Sequence, residues 1–301
     1  MHEFLEALRD PDFPLLRYAL LTGLASSVAF GIIGSLVVAR RLTYLAAAIS
    51  HSIFGGIGAA LYLQGAHGVA WCDPMFGAVV AAIGAALVVG LASLYARQRE
   101  DTVLSAVWVL GMAVGLLLMR NTPGYADPMS FLFGDINYLS RRELACVLGL
   151  DVLVVTLALC FRNKLVAVCF DEEFAALRGL RAKRYFLFLL CLVSLSVVLL
   201  VRVVGIVLVI ALLTLPAAAA GQFARRFWHM MALGTVICAA CIVAGLALSY
   251  QFDLLGGFQL PTGATIVGLA AGCYLAAIAL RRLAARRRDY RPSPAGSPPW
   301  R

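Results

Sequence analysis

Charge is scarce in this sequence. Only 14% of its 301 residues are Asp, Glu, Lys or Arg, whereas 62% are hydrophobic. A soluble domain carries roughly 25% charged residues. The composition therefore excludes a soluble globular protein and predicts a chain that is embedded in a membrane.

The sequence patterns of several enzyme classes are also absent. The chain contains no G-x-x-x-x-G-K-[ST] phosphate loop, no H-E-x-x-H pattern and no G-x-S-x-G pattern. The first cradles nucleotide phosphates, and the other two carry a zinc protease site and a hydrolase nucleophile. We therefore expect neither a nucleotide site of this kind nor an enzymatic activity, and a membrane-embedded hydrolase is the least supported alternative.

Signals for secretion, disulfide bonding and nucleic-acid binding are missing as well. The N-terminal stretch MHEFLEALRDPDFP is acidic and lacks the basic region of a signal peptide. The eight cysteines fall mostly within apolar runs, where they behave as small buried side chains rather than as a disulfide framework. The net charge is +9, but the basic residues lie at the ends of these runs, where membrane topology explains them.

Long apolar runs dominate what remains. Each is long enough, or nearly so, to cross the roughly 30 Å of hydrocarbon in a bilayer. The nine runs lie near 15–39, 43–64, 73–96, 102–119, 143–161, 184–202, 203–222, 228–250 and 261–280. The sequence thus predicts an all-α polytopic membrane protein with about nine transmembrane helices. A shorter segment, 125–139, contains Asp135 and is interrupted, so it is predicted to be re-entrant, with Asp135 as a helix-end or gate residue.

The distribution of Lys and Arg predicts the orientation of the chain. If the N-terminus is outside, most basic residues fall on the cytoplasmic side, as the positive-inside rule requires. The predicted parts are an outer segment (1–14), one transmembrane domain (15–282) and a basic, Pro-rich cytoplasmic tail (283–301). We expect the tail to be disordered.

The charged connection 162–184 contains the signal of a short helix. Asp171, Glu172 and Glu173 suit the positive end of a helix, and Gly179 is placed to end it. A further set, Phe174, Ala175 and Leu177, is predicted to form one small apolar patch. The helix could lie on the lipid surface or dock against a partner protein. Because the predicted topology places it in the cytoplasm, a cytosolic partner is favoured.

Two polar or helix-breaking features lie inside the runs. His51 is about ten residues into the second run, near the middle of the membrane. It could be a packing residue, or it could offer a ring nitrogen to Zn²⁺, Mn²⁺ or Fe²⁺ in a translocation path, with further ligands from a two-fold dimer. Pro216 is predicted to break the seventh run and to favour a kink that faces a cavity.

Four stretches together resemble the permease subunits of bacterial metal-uptake ABC importers, the ABC-3 family of zinc, manganese and iron transporters. They are GSLVVARRLTYLAAAISHSIFGGIGAAL, MSFLFGDI, DEEFAALRGL followed by VVGIVLVIALLTLPAAAAGQFARR, and LPTGATIVGL. The resemblance runs from about Pro14 to Arg282.

The resemblance implies a permease in the bacterial inner membrane that moves a divalent metal ion. Two cytosolic ATPases would bind ATP and grip the coupling helix at about 171–179 of each permease. A second copy or a paralogue would complete the pathway, and an extracytoplasmic binding protein would deliver the ion. The permease itself would hold no cofactor.

One position departs from the family pattern. An Asp usually lies four residues before the histidine of the second helix, and both are thought to contact the metal, but this chain has Ala47 there. Loss of a hard oxygen ligand weakens a manganese site most, so zinc is favoured. A paired permease could also supply the acid, or the transported species could be another one.

Two other transporter classes remain as alternatives. A permease for a siderophore or cobalamin would need a wider pathway without an intramembrane histidine. An ion-driven secondary transporter would show acidic residues near the middle of the membrane and two repeated halves. The sequence shows no clear repeat, and most of its acids lie in loops or at the ends of runs.

Overall fold

A computed structural model describes residues 14–69, 71–95, 100–123, 141–254 and 260–289. All regular elements in these ranges are helices, as the sequence predicts. They are α1 Pro14–Ala39, α2 Thr43–His67, α3 Pro74–Tyr95, α4 Glu100–Arg120, α5 Arg141–Cys160, α6 Arg162–Phe170, α7 Glu172–Leu177, α8 Ala182–Val204, α9 Ile206–Phe223, α10 Phe227–Leu254 and α11 Thr262–Asp289.

The described residues do not confirm the predicted number of membrane spans. Within the described residues, seven helices are long and apolar enough to cross a membrane: α1 to α4 and α9 to α11. An eighth span is possible if Asp151–Cys160 and Arg162–Phe170 are counted as one broken span. The fifth and sixth predicted runs do form helices, α5 and α8. The all-α membrane fold is confirmed, but a count of nine spans is not.

Helix α6 is an element that the sequence analysis treated as loop. The chain bends by 74° between α5 and α6 and then continues as a helix to Phe170. Leu165, Val168 and Cys169 are buried on this short helix. Their spacing of three and four residues places them on one face, so α6 packs against the bundle rather than crossing solvent as a free connection.

Small residues set the distances between the central helices. Gly23 and Gly31 of α1 pack against Ile242 and Thr235 of α10, where an added Cβ would collide with their side chains. Membrane helices use such small residues to approach closely. Helix α1 also packs against α5 and α9, while α2 packs mainly against α3 and α4. Contacts in which helix backbones approach closely around α1 and α2 therefore hold the bundle together.

Helix α9 runs through its proline. It continues from Ile206 to Phe223 with Pro216 inside it, so the predicted break in this run does not occur. Pro216 is buried, and Gly34 of α1 packs against the Leu213 carbonyl one turn earlier. Packing by neighbouring helices can support a proline within a membrane helix. A gate role for Pro216 stays a prediction.

The two ends of the chain and the re-entrant segment lie largely outside the described residues. Residues 1–13, 124–140 and 290–301 are not described, so the outer segment and the role of Asp135 stay predictions. Helix α11 extends to Asp289, and residues 283–289 are therefore helical rather than disordered. Ala, Leu and Arg, which fill this stretch, are strong helix formers.

Several basic connections meet at one end of the bundle, which we call the Arg40 end. Arg40, just after α1, pairs with Glu172 at the start of α7. The Arg162 guanidinium lies 5.5 Å from the ring centre of Trp228 on α10. Arg281 of α11 donates a hydrogen bond to Gln222 of α9 over 2.7 Å. Helices α1, α6, α7, α9, α10 and α11 thus contribute side chains to this one end.

Candidate functional site

His51 lies in the first half of α2, with its side chain partly buried. Its Nδ1 atom is buried and has no hydrogen-bond partner among the described residues. A buried polar atom without a partner is costly. A histidine with only a packing role would have a hydrogen-bond partner for this nitrogen. The observed environment therefore favours a role for His51 in binding a ligand from outside the chain.

The ring of His51 stacks on Trp108 of α4. The two ring centres are 4.6 Å apart and their planes differ by 6°. Gly111 makes this contact possible, because a Cβ at Gly111 would lie 2.6 Å from the Ser52 Cα and 2.9 Å from the His51 carbonyl oxygen. The close approach of α2 and α4 therefore fixes the plane and direction of the imidazole.

Ala47 is buried one helical turn before His51. Residues four apart share a face of a helix, so Ala47 presents a methyl group where a carboxylate could have joined the imidazole. Among the described residues, no group of three or more His, Cys, Asp or Glu side chains could hold a metal ion. His51 is therefore a single ligand within the part of the chain that the structure covers.

A surface cleft adjoins the stacked pair. Its volume is about 290 Å³, and Tyr44, Leu104, Ser105 and Trp108 line it. Helix α4 is mostly exposed in the isolated chain, where Val109, Leu110 and Leu117 each have more than half of their surface exposed. The surface of α4 around Trp108 is thus exposed in the isolated chain.

The second candidate region is α7, which has a well-defined start. Asp171 is the N-cap, and its carboxylate accepts a hydrogen bond from the Phe174 backbone N–H over 2.8 Å. Glu172 and Glu173 follow in the first turn, as the helix dipole favours. Gly179 has φ +80°, a left-handed conformation that glycine adopts without strain. These local signals form the predicted helix, which ends at Leu177.

The predicted apolar patch on α7 is divided between two faces. Phe174 is 51% exposed and Leu177 is 86% exposed, whereas Ala175 is only 1% exposed. Phe174 and Leu177 are three residues apart and therefore neighbours. Ala175 instead packs against the rest of the chain, so the prediction that all three residues form one patch is wrong. The exposed pair is an unusual apolar surface for a charged connection.

Arg40 links α1 to α6, α7 and α8. One guanidinium nitrogen donates to the Val168 carbonyl oxygen over 2.7 Å, and another pairs with the Glu172 carboxylate. The same guanidinium lies 5.3 Å from the ring centre of Phe186 on α8. Glu172 thus faces the chain itself, and Arg40 connects α7 to the end of a central helix.

A buried cysteine adds a further contact between α1 and α6. The Cys169 thiol donates to the Leu36 carbonyl oxygen at 3.9 Å. The Cys169 side chain is buried and therefore packs α6 against α1.

Two residues of interest were missed by the sequence analysis. Nothing in the sequence distinguishes Trp108, because tryptophan is common in apolar runs. Its contact with His51 becomes visible only in the structure. Asp151 did carry a signal, since it lies well inside the fifth predicted run. It is buried within the bundle, so acids are not confined to loops and to the ends of runs.

Comparisons with known proteins extend over most of the chain. The sequence model of the ABC 3 transport family matches residues 12–281. The chain is 34% identical over 271 residues to a "Probable metal transport system membrane protein" of Chlamydia trachomatis, which covers 89% of this chain and 90% of that protein. It is 30% identical over 264 residues to the manganese transport system membrane protein MntC of Listeria monocytogenes, covering 88% and 91%.

A solved structure has the same overall arrangement. The structure of PsaBC from Streptococcus pneumoniae in complex with Fab superposes with a TM-score of 0.79 at 26% sequence identity. The match covers 92% of this chain and 95% of the other.

Proposed function

The chain belongs to the ABC 3 transport family, and on that premise we propose that it is the membrane-spanning permease of an ATP-driven importer of a divalent transition metal ion. The observation that carries this proposal is the buried, unpartnered Nδ1 of His51 inside a membrane helix. Intramembrane ionisable residues are costly and commonly mark a transport path. Neutral imidazole is a good ligand for transition metals.

A second permease completes the pathway in this proposal. One described chain offers only one metal ligand at the path, and one imidazole holds a metal weakly. The exposed surface of α4 and the adjoining cleft lie beside Trp108, which stacks on His51. Two copies related by a two-fold axis would close this surface and bring two His51 side chains to the same path.

Zinc is the ion that we favour. Imidazole suits zinc, whereas manganese prefers oxygen ligands, and the position one turn before His51 holds Ala47 rather than an acid. The Listeria relative is named for manganese, so manganese is the competing ion. Direct competition between the two ions in one uptake assay decides between them.

The energy source in this proposal is a pair of cytosolic ATPases that contact α7. Phe174 and Leu177 supply the exposed apolar contact, and the Asp171 cap keeps the short helix formed. Closure of the ATPases would move α7, and Arg40 would carry that movement to α1. The bundle would then alternate between outward and inward openings. An extracytoplasmic binding protein would deliver the ion.

The alternatives fit less well. A permease for siderophore or cobalamin has no need of an intramembrane imidazole, and stacking on Trp108 narrows the space beside His51. Asp151 is the one feature that favours a secondary transporter. That alternative gives no role to the exposed Phe174 and Leu177 on α7.

The test is substitution of His51 in the complete transporter in vesicles. We expect His51→Ala to abolish ATP-driven zinc uptake while the permease still assembles with its ATPase. The matched control is His67→Ala, at the exposed end of the same helix, which should keep normal uptake. Undiminished uptake by the assembled His51→Ala transporter would reject the role of His51.

A further inference from the structure

Asp151 lies at the middle of α5, which runs from Arg141 to Cys160. At about 1.5 Å per residue, it is roughly 15 Å from either end of the helix. Only 6% of its surface is exposed. Val154 and Ala158, three and seven residues further on, are also buried, so Asp151 belongs to the stripe of α5 that faces the bundle.

Both carboxyl oxygens of Asp151 are buried without a hydrogen-bond partner. Helix α5 packs against α1, α6 and α8. The cationic residues of these helices are Arg17 on α1, Arg162 and Lys164 on α6, and Lys183, Arg184 and Arg202 on α8. Their other titratable residues are Tyr18, Cys169, Tyr185 and Cys191, and none of the three helices contains an acid. Asp151 has no hydrogen bond or salt bridge to any described residue.

An ionised carboxylate in this environment would be very unfavourable. Burial of an unpaired charge in an apolar interior costs so much that the group is neutralised instead. Neutralisation requires a bound cation or a proton. A transition metal would need several ligands, and the described residues contain no group of three that could hold one. A proton needs only the carboxyl itself.

We propose that Asp151 is a proton-binding site within the permease, protonated while α5 packs against α1 and α8 and deprotonated when this interface opens to water. Release breaks the O–H bond of the carboxyl and transfers the proton to water, leaving a hydrated carboxylate. Helix α5 leads through the 74° bend into α6 and then α7. Movement of the coupling helix would therefore reach α5 directly, a step that rests on the proposed function.

The primary experiment is infrared spectroscopy of the purified permease at neutral pH. A protonated carboxyl has its own C=O stretching band, and aspartate labelled with a heavy carbon isotope in its carboxyl group should shift that band. We expect the shift in the wild-type protein and in Asp73→Asn, a control at an exposed acid. In Asp151→Glu the band should stay but no longer respond to labelled aspartate, and in Asp151→Asn it should disappear.

A second measurement is the melting temperature of the permease as a function of pH. If the native state holds a proton that the unfolded chain releases, the melting temperature falls as pH rises. Asp151→Asn, which is neutral at every pH, should remove this component of the fall, whereas Asp73→Asn should keep it. Since Asp151→Glu also retains an ionisable acid, it should keep a pH dependence.

The proposal is overturned if the wild-type protein shows no aspartate C=O band at neutral pH. It is also overturned if the band and the pH dependence survive unchanged in Asp151→Asn. Neither measurement involves transport, so these outcomes leave the importer assignment intact. Conversely, normal uptake by His51→Ala would reject the metal path without affecting the proton site.

Discussion

His51 and Asp151 are two ionisable residues inside long helices, and we propose different roles for them. The His51 ring stacks on Trp108, and its buried Nδ1 atom has no hydrogen-bond partner among the described residues. Asp151 is enclosed by the bundle, where a larger ion would need ligands that the described residues do not supply. The chemistry of the buried group therefore separates the two proposals, because imidazole suits a transition metal whereas an unpaired buried carboxyl is neutralised by a proton.

Ala47 gives a prediction about ion preference. Ala47→Asp would place a carboxylate one turn before His51 and add a hard oxygen ligand. We expect manganese to compete with zinc roughly tenfold better in uptake, which corresponds to about 1.4 kcal/mol. Ala47→Asn is the control, because it has a similar size without the charge. Identical ion preferences in wild-type, Asp and Asn proteins would show that position 47 does not face the ion.

Among the elements, α7 is short and depends on its surroundings. Its six residues are too few for a stable isolated helix. The Asp171 cap and the pairing of Glu172 with Arg40 hold it against α1 and α6. Force applied to the exposed Phe174 and Leu177 would therefore be passed to the bundle rather than lost in a flexible loop.

The Arg40–Glu172 pair provides the test of this connection. Arg40→Glu should lower zinc uptake while the ATPase still hydrolyses ATP, because α7 would no longer be tied to α1. The double variant Arg40→Glu/Glu172→Arg should recover part of the uptake. A double-mutant cycle on the free energy of unfolding should give a coupling energy of about 1 kcal/mol between the two side chains. Arg41→Glu, at the exposed neighbouring position, is the control. Additive losses in the double variant would contradict a direct pair.

The whole molecule has two distinct ends, and the proposed mechanism requires the Arg40 end to be cytoplasmic. Arg40, Arg162 and Arg281 all make contacts there. Trp71 lies in the connection between α2 and α3, at the opposite end of α2 from Arg40. By the positive-inside rule, we expect the Arg40 end to be cytoplasmic.

Single-cysteine labelling tests this orientation. In a background without native cysteines, Leu177→Cys should react with a membrane-impermeant maleimide only in inverted vesicles. Trp71→Cys should react in intact cells whose outer surface is accessible. Both positions are exposed in the structure, so accessibility does not limit either reaction. Labelling of Leu177→Cys from outside would remove α7 from the reach of cytosolic ATPases.

The sequence by itself determined the features that depend on local chemistry. Apolar runs specify membrane helices, because every backbone polar group in lipid must be satisfied within the helix. The acidic start and the glycine end of α7 were likewise readable, since caps and dipoles act over a few residues. The same reasoning placed His51 inside α2, and it could have found Asp151 had depth been checked for every acid.

Only the tertiary structure decided which side chains meet and which remain open. Arg40 and Glu172 are 132 positions apart in the chain, and the pairing of His51 with Trp108 depends on glycines that let α2 approach α4. The burial of Ala175 and the continuation of α9 through Pro216 depend in the same way on neighbouring helices. Packing between distant segments sets these contacts, and hydrophobic periodicity alone does not predict which helices become neighbours.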